Sequence, residues 1–283
     1  MNEKILIASD STTDLGEKLT AKYGIIIMPL SVTLGEKNYL DGVDIDPDSI
    51  YAHYEKTGEL PKTNAINIAD FEVFFEKHTC DGSKMVFFTI SSEMSSTYAN
   101  AKLASEKFEN VYVVDTRNLS TGGGLLLIRA AELAAEGKSA KEIAEECEEI
   151  AKRVDASFVV DDLEFLHKGG RCSALAAFGA NLLQLKPCII VSDGRMGVGK
   201  KYRGKFASVL QKYIRERIGD GSEIEPDHIF ITHAGCDKDI CDECVRIVKQ
   251  TAPFEEVLIT RAGCTISSHC GRNTLGVLFI RKK

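Results

Sequence analysis

The chain has 283 residues, of which 44% are apolar and 27% charged, and a formal net charge of -7. This size and composition can fill the cores of two ordinary domains, and the acidic balance argues against nucleic-acid binding, which needs a basic face. No apolar run approaches the roughly 18 residues of a membrane span, and the N-terminal "MNEKILIASD" lacks the apolar region of a signal peptide. We therefore expect a cytoplasmic protein with no integral membrane segment, whose cysteines are mostly buried, reduced thiols.

The first half of the chain alternates apolar runs with capped or amphipathic segments. "KILIAS", "KMVFFTI" and "NVYVVD" predict buried strands, and Pro29 within "IIIMPLSV" predicts an edge strand or a bulge. Asp46 and Pro47 are typical of the N-cap and first position of a helix. Further helices are predicted over three segments: Ser95–Lys107, Leu125–Ala135 and Ala140–Val154.

The second half starts a new set of elements near residue 155. "KPCIIVSDGRMGVGKKY" predicts two strands joined at Asp193 and Gly194, because Asp-Gly favours a type I′ hairpin. An amphipathic helix, "KFASVLQKYIRERI", is followed by strand "HIFITH", helix "KDICDECVRIVKQ" and strands "EEVLIT" and "LGVLFIRK". The alternation predicts two α/β domains: residues 1–155 with a parallel sheet and residues 156–283 with a mixed sheet.

One motif has the spacing of a phosphate loop. In "GRMGVGKK", Gly194, Gly199 and Lys200 match that pattern, but Lys201 occupies the position of the Ser or Thr that holds magnesium. A hairpin turn accounts for the same glycine, so we favour the hairpin over a nucleotide site.

A cysteine motif has the spacing of the start of an iron–sulfur site. It comprises Cys236, Cys241 and Cys244. Cys241 and Cys244 are three residues apart on the apolar face of a predicted helix, however, which favours core packing. We therefore expect no metal and no bound cofactor.

Two glycine-rich stretches precede or follow helices. Thr121–Gly124 could bind phosphate at a helix N-terminus, although close packing is the commoner reason for such glycines. In "HKGGRCS", Gly169 and Gly170 permit an unusual turn, Arg171 could pair with a carboxylate, and Ser173 could cap a following helix. We favour a structural turn for this second stretch.

Two serine-rich loops remain as candidates for a polar binding site. In "TISSEMSSTYANA", five of the seven residues from Ser91 to Thr97 carry hydroxyls, at the point where a strand gives way to a helix. In "SSHCGRNTLG", His269 lies among small polar residues, where a neutral imidazole can donate to an anion. No G-x-S-x-G or H-E-x-x-H motif is present, and we predict no catalytic residue.

Several motifs, in order along nearly the whole chain, resemble the DegV family of bacterial fatty-acid-binding proteins. The first half contributes "ASDSTTDL", "MPLSVTLGEKNYLDGVDI", "LPKTNA", "ISSEMSSTYANA" and "VYVVDTRNLSTGGG". The second half adds "DDLEFLHKGGRCSALAAFGANLLQLKP" and "SSHCGRNTLG". The set is specific, although no single motif would be.

The resemblance implies a long-chain fatty acid, such as palmitate, held between two α/β domains. By the family's pattern, Thr63, Ser95 and His269 would bind its carboxylate. Arg203, in "KKYRGK", matches a basic position of the family and is assigned to the same ligand-binding set, as a docking residue. The implied partner is a fatty acid kinase that phosphorylates the bound acid. We further expect "MVFF" and the helix Leu125–Ala135 to line the acyl tunnel.

The sequence departs from the family pattern at three places. Asn64 and Ala65 follow Thr63, Ser96 replaces a glycine, and Arg272 and Asn273 replace small residues after His269. These changes bear on chain-length preference and on coupling to the kinase. The alternatives left open are a small-molecule enzyme, for example one of phosphoryl transfer, and a regulatory module that only senses lipid.

Overall fold

The computed structural model describes residues 4–172 and 185–283. In the first half the elements are β1 Ile5–Asp10, α1 Gly16–Tyr23, β2 Ile26–Met28, β3 Ser31–Leu34, β4 Lys37–Leu40, α2 Pro47–Thr57, β5 Lys62–Asn64, α3 Ile68–Thr79, β6 Lys84–Thr89, α4 Thr97–Ser105, β7 Val111–Asp115, α5 Thr121–Ala135 and α6 Ala140–Ala151. In the second half they are β8 Val154–Val160, α7 Glu164–Gly169, β9 Lys186–Ser192, β10 Arg195–Tyr202, α8 Phe206–Ile218, β11 Ile224–Ala234, α9 Lys238–Thr251, β12 Glu256–Arg261, α10 Cys264–Cys270 and β13 Thr274–Arg281.

The N-terminal half is built on a parallel four-stranded sheet with strand order β2-β1-β6-β7. Its central strands are buried on both faces, which is why they read as continuous apolar runs. Pro29 directly follows the edge strand β2, in agreement with the sequence prediction. A small antiparallel sheet, β4-β3-β5, was not predicted; it carries Thr63 on β5 opposite Val32 on β3.

The C-terminal half is built on a six-stranded sheet with order β10-β9-β8-β13-β11-β12. Only β11 and β12 are parallel, so the sheet is mixed, and the predicted fold class is confirmed. Asp193 and Gly194 both have positive φ, 50° and 80°, as a type I′ turn requires. The chain enters this sheet at β8, and the domain division near residue 155 stays a proposal.

Three predicted helices differ from the structure at their boundaries, and the first, predicted over Ser95–Lys107, is shorter at both ends, since α4 spans Thr97–Ser105. Helix α5 begins at Thr121 rather than Leu125, because its glycines allow close contact with the N-terminal loops. A Cβ on Gly122 would lie 2.2 Å from Asn118 Oδ1, and one on Gly124 would lie 2.7 Å from Leu15 Cδ2. Helix α6 ends at Ala151 instead of Val154, since Val154 already belongs to β8. Over the described ranges, no helix combines the length and apolarity needed to cross a membrane.

The two faces of the C-terminal sheet are packed differently. One face contacts α8 and α9 and includes Leu275, Val277 and Phe279, all fully buried. The other face is turned toward the N-terminal half and presents Thr274, Gly276 and Leu278 from the same strand. A cavity lies on this second side.

Candidate functional site

The cavity has a volume of about 570 Å³, within the size range of small-ligand sites. Its sheet wall is formed by small or apolar residues of β8, β11 and β13, namely Phe158, Thr232, Ala234, Thr274, Gly276 and Leu278. The N-terminal half supplies mostly apolar side chains, among them Leu30, Ile90, Met94 and Leu119. The cavity therefore has an apolar body enclosed between the two halves of the chain.

Three residues predicted to bind a carboxylate line this same cavity: Thr63, Ser95 and His269. They come from β5, from the loop before α4 and from α10, so the fold brings together residues from both halves. Thr63 Oγ1 lies 2.8 Å from His269 Nε2, a hydrogen bond across 206 positions of sequence. The structure thus places Thr63 and His269 in contact and Ser95 on the wall of the same cavity.

The hydrogen bonds around Ser95 connect its hydroxyl to Thr97. Ser95 Oγ accepts a bond from the Thr97 backbone N–H at 3.2 Å and lies 2.9 Å from Thr97 Oγ1. If the Thr97 hydroxyl also donates to Ser95, the Ser95 proton is free to donate into the cavity. The serine-rich loop thus positions a hydroxyl donor at the start of α4.

His269 is neutral over the physiological range. Burial lowers its pKa from 6.5 to about 4, and the charge of Arg171 acts in the same direction. The imidazole is therefore a hydrogen-bonding group, not a cation. Arg171, which itself is exposed, is the one Arg or Lys among the described residues that line the cavity.

Helix α10, which carries His269, is fixed at its N-terminus by two carboxyl groups of the N-terminal half. Asp41 accepts from the backbone N–H groups of Cys264 and Thr265 at 2.7 and 3.0 Å. Asp14 accepts from Gly263 N–H at 2.8 Å and from Ser120 Oγ at 2.5 Å. Burial, together with the nearby Asp41 and Asp10, raises the pKa of Asp14 to about 8. The hydrogen bonds from Ser120 and Gly263 lower the same pKa, but by less.

The prediction for the tunnel walls is wrong. Neither "MVFF" nor Leu125–Ala135 contributes a side chain to the cavity within the described ranges. Val86, Phe88 and the apolar residues of α5 instead form the core between the N-terminal sheet and α5 and α6. The apolar wall comes largely from residues just beyond the C-terminal ends of β6 and β7, such as Ile90 and Leu119, and from the second sheet.

Arg203 does not line the cavity. It is exposed after β10, whereas Met196 at the opposite end of that strand reaches the cavity wall. The structure thus separates Arg203 from Thr63, Ser95 and His269, and leaves it as a surface residue. Its predicted role in docking remains a prediction.

The competing motifs have structural explanations. Gly194 lies in the β9–β10 turn, and its carbonyl accepts from Ser91 Oγ at 2.7 Å, so the serine loop also ties the two halves together. A strand, not a helix, follows the turn, which is unlike a phosphate loop. Ser173, predicted to cap a helix, lies outside the described residues.

The cysteines of the iron–sulfur-like motif belong to the core behind the sheet. Cys236, Cys241 and Cys244 pack with residues of β11, β13, α8 and α9. Cys80 is exposed, and the other eight cysteines are buried. Among the described residues, no group of His, Cys, Asp and Glu has the arrangement of a metal site.

Sequence reasoning missed the two aspartates that hold α10. Asp14 and Asp41 are aspartates in otherwise ordinary loops, and their contacts are with Gly263–Thr265, more than 200 positions away. The small residues of the sheet wall were also missed. Their signal was the small residues Thr274 and Gly276, which alternate with Leu275 and Val277 at the start of β13.

The fold and the cavity define an α/β protein of two sheet-based halves that enclose a site for a small ligand with one polar end. A sequence profile of the DegV family, described as uncharacterised proteins, matches residues 4–282. The chain belongs to the DegV family. A DegV domain-containing protein of Clostridium acetobutylicum is 32% identical over 282 residues, covering 99% of both chains.

Solved structures of the family share the whole fold. A DegV family protein from Thermus thermophilus, described for its fatty acid binding, has a TM-score of 0.91 and 28% identity, covering 99% of this chain and 100% of its own. A stearic acid-binding protein from Eubacterium ventriosum has a TM-score of 0.83 and 27% identity, covering 98% of each chain.

Proposed function

We propose that this protein binds a long-chain fatty acid in the cavity, with the carboxylate at Thr63, Ser95 and His269, and presents it to a fatty acid kinase. The observation that carries the proposal is the Thr63–His269 hydrogen bond at the polar end of an otherwise largely apolar cavity. The fatty acid ligands of the Thermus and Eubacterium proteins support it. In this role the protein is a carrier, and the phosphoryl transfer belongs to the kinase.

The apolar body of the cavity supplies most of the affinity. A 16-carbon chain buries about 15 methylene and methyl groups at roughly 0.8 kcal/mol each, so the gross gain is about 12 kcal/mol before ordering costs. That gain permits tight binding without a buried ion pair. The polar end has a different task, which is to avoid the large cost of burying a carboxylate without hydrogen-bond donors.

The hydrogen-bond pattern supplies such donors. With His269 neutral, its Nε2–H can donate to Thr63 Oγ1, which leaves the Thr63 hydroxyl proton for the ligand. Ser95 offers a second hydroxyl proton, and Arg171 lies on the cavity wall as a cation. Two neutral donors and a peripheral cation suit a carboxylate that must be held and later exposed to a second protein.

The kinase partner is inferred from the family resemblance, and the exposed segment after β10 supports it. Arg203 and Lys205 are exposed there, away from the cavity, on an otherwise acidic protein. A local basic site on a chain of net charge -7 can attract an acidic partner surface and orient it.

The first test is identification of the bound lipid. Protein purified under native conditions is extracted with organic solvent and analysed by mass spectrometry, and the same sample is measured by native mass spectrometry. We expect fatty acid at close to one molecule per chain. If neither method detects an acyl ligand, and added palmitate does not bind, fatty acid binding is ruled out.

The second test assigns the polar end. Ser95→Ala, Thr63→Val and His269→Ala should each weaken palmitate binding by about 1–3 kcal/mol, or roughly 5- to 150-fold. The first two remove a donor from a buried carboxylate, and the third removes the imidazole that orients the Thr63 hydroxyl. Lys200→Ala is the control, since Lys200 pairs with Glu216 on the surface. Wild-type affinity in all three site variants would place the carboxylate elsewhere.

The third test concerns the kinase. Arg203→Ala should leave palmitate affinity unchanged and lower the rate of acyl-phosphate formation when a fatty acid kinase is added with ATP. Lys212→Ala, which removes a charge from α8, is the matched control. An unchanged rate with Arg203→Ala would exclude Arg203 from docking.

A further inference from the structure

Gly169 lies against the Nδ1 edge of the His269 ring. A Cβ built on Gly169 would be 2.7 Å from His269 Nδ1, and its next contacts are other atoms of the same ring. Gly169 is the last residue of α7. Its position is therefore set independently of β5, which carries Thr63, and of the loop that carries Ser95. Only a residue without a side chain allows α7 to approach the imidazole this closely.

The atom covered by Gly169 has no hydrogen-bond partner. His269 Nδ1 is buried and unpartnered among the described residues, although other parts of His269 line the cavity. A buried N–H without an acceptor costs about 1–3 kcal/mol, and the neighbouring Cα–H group of Gly169 is a weak donor that can only face a lone pair. Both effects disfavour the tautomer with its proton on Nδ1.

The ring has only one other place for the proton of the neutral form. If Nδ1 is unprotonated, Nε2 carries the hydrogen and donates to Thr63 Oγ1, 2.8 Å away. The Thr63 hydroxyl then has its own proton free. In the opposite tautomer Thr63 would donate to Nε2, and its oxygen lone pairs would face the ligand.

We propose that Gly169 is a positioning residue, which covers His269 Nδ1, selects the Nε2–H tautomer and so directs the Thr63 hydroxyl proton toward the ligand carboxylate. This inference rests on the proposed fatty acid binding. It adds to the binding site a residue that acts on the ligand through His269 and does not touch it. Position 169 needs a glycine because a side chain there would collide with His269. Its backbone conformation does not require glycine, since the φ of Gly169 is outside the left-handed region, whereas the φ of Gly170 is within it.

A larger residue at position 169 must displace the ring or α7. Rotation of the ring breaks the bond to Thr63, and retreat of α7 uncovers Nδ1 and admits water. In the second case the desolvation that now keeps the imidazole neutral is reduced, so the pKa of His269 rises toward 6.5. Both outcomes weaken the arrangement of donors at the polar end.

The test is a double-mutant cycle with palmitate as the probe. Glutamine at position 269 can place an amide near the position of Nε2 but has no atom at Nδ1. We expect Gly169→Ala to weaken palmitate binding roughly 10-fold or more in the parent and less than about 3-fold in the His269→Gln background. Equal losses in both backgrounds, or no loss in the parent, would overturn the proposal.

The matched control is Gly197→Ala. Gly197 has ordinary backbone angles, and an added Cβ meets only Ile190 Cγ1 at 3.9 Å, so palmitate affinity should not change. Both variants replace glycine with alanine, and they differ in whether the added methyl group meets His269.

A second measurement does not depend on ligand binding or on the folding of Gly169→Ala. ¹⁵N spectra of the parent protein with labelled histidine, assigned with His269→Gln, should show an unprotonated Nδ1 and a protonated Nε2 at pH 7. A protonated Nδ1 would contradict the proposal even if palmitate binds. If the spectrum is as expected and palmitate does not bind, the proposed function fails while the tautomer assignment stands.

Discussion

On β13, alternate side chains enter two different environments. Leu275, Val277 and Phe279 are fully buried against α8 and α9, whereas Thr274, Gly276 and Leu278 border the cavity. From Thr274 to Phe279 the strand keeps one register with both neighbours, so the difference arises from what covers each face and from the small side chains at 274 and 276. Small residues on one face leave space that the facing half of the molecule does not fill.

Polar groups on the two sides also have different tasks. Behind the sheet, the Tyr213 hydroxyl donates to Ser157 O at 2.7 Å and accepts from Val277 N–H at 3.0 Å, so its hydrogen-bonding capacity is used within the protein. On the cavity side, the hydroxyls of Thr63 and Ser95 border the cavity and, in the proposed arrangement of protons, donate to a ligand. We therefore expect substitutions on the packed side to change stability and those on the cavity side to change binding.

The largest expected effect comes from leucine truncation on the packed face. Leu275→Ala should lower the free energy of unfolding by about 3–5 kcal/mol, because the surrounding core cannot collapse into the space left by the side chain. Leu278→Ala, the same change on the cavity face, should cost about 2 kcal/mol, since Leu278 already borders empty space. Denaturant unfolding of both variants checks this, and equal losses would contradict the distinction between the faces.

The buried Asp14 on the cavity side should make stability depend on pH. Its folded pKa is about 8 and its ordinary value is 3.8, so between these values the folded state binds more protons than the unfolded state. The contribution of Asp14 is therefore present at low pH and is lost as pH rises through this window. Relative to Asp14→Asn, the parent should lose about 2–3 kcal/mol of stability between pH 5 and pH 7.

The measurement is denaturant unfolding of both proteins at several pH values. Glu17→Gln, which removes a carboxyl group from exposed α1, is the control and should keep the slope of the parent. A constant difference between the parent and Asp14→Asn across this range would show that Asp14 is ionised in the folded state throughout.

Deletion of a single hydroxyl on each side should separate stability from binding. Tyr213→Phe leaves the Val277 N–H and Ser157 O without this partner and should cost about 1–3 kcal/mol of stability with no loss of palmitate affinity. Thr63→Val should weaken palmitate binding and leave stability almost unchanged. Thermal unfolding of the ligand-free proteins, together with palmitate titration, tests the pair. A stability loss in Thr63→Val equal to that in Tyr213→Phe would mean that the cavity hydroxyls are structural.

The smallest effect is expected from the cysteine motif. Cys241→Ser in the core behind the sheet should leave palmitate affinity unchanged, because Cys241 has no contact with the cavity among the described residues. Titration with palmitate at a temperature where the variant is folded provides the measurement. Loss of binding in Cys241→Ser would assign the motif a functional role that its packing does not indicate.

The sequence by itself determined the strands of the two main sheets, the fold class and the family, but not the small β4-β3-β5 sheet. Local signals were sufficient where a residue type has one strong backbone preference: Asp46 caps α2, and Asp193 and Gly194 form the predicted hairpin turn. The polar residues Thr63, Ser95 and His269 were identified through motif resemblance, and the structure places all three on one cavity.

Tertiary structure alone decided which apolar segments surround the cavity and which form the cores. The run "MVFF" and the helix α5 are apolar enough to line a tunnel, yet their side chains form the cores on the faces of the N-terminal sheet. Periodicity shows that a face is buried but not what covers it, since the covering residues come from distant parts of the chain. For the same reason, the pairing of Asp14 and Asp41 with α10 and the contact of Gly169 with His269 depend on separations in sequence that no local pattern specifies.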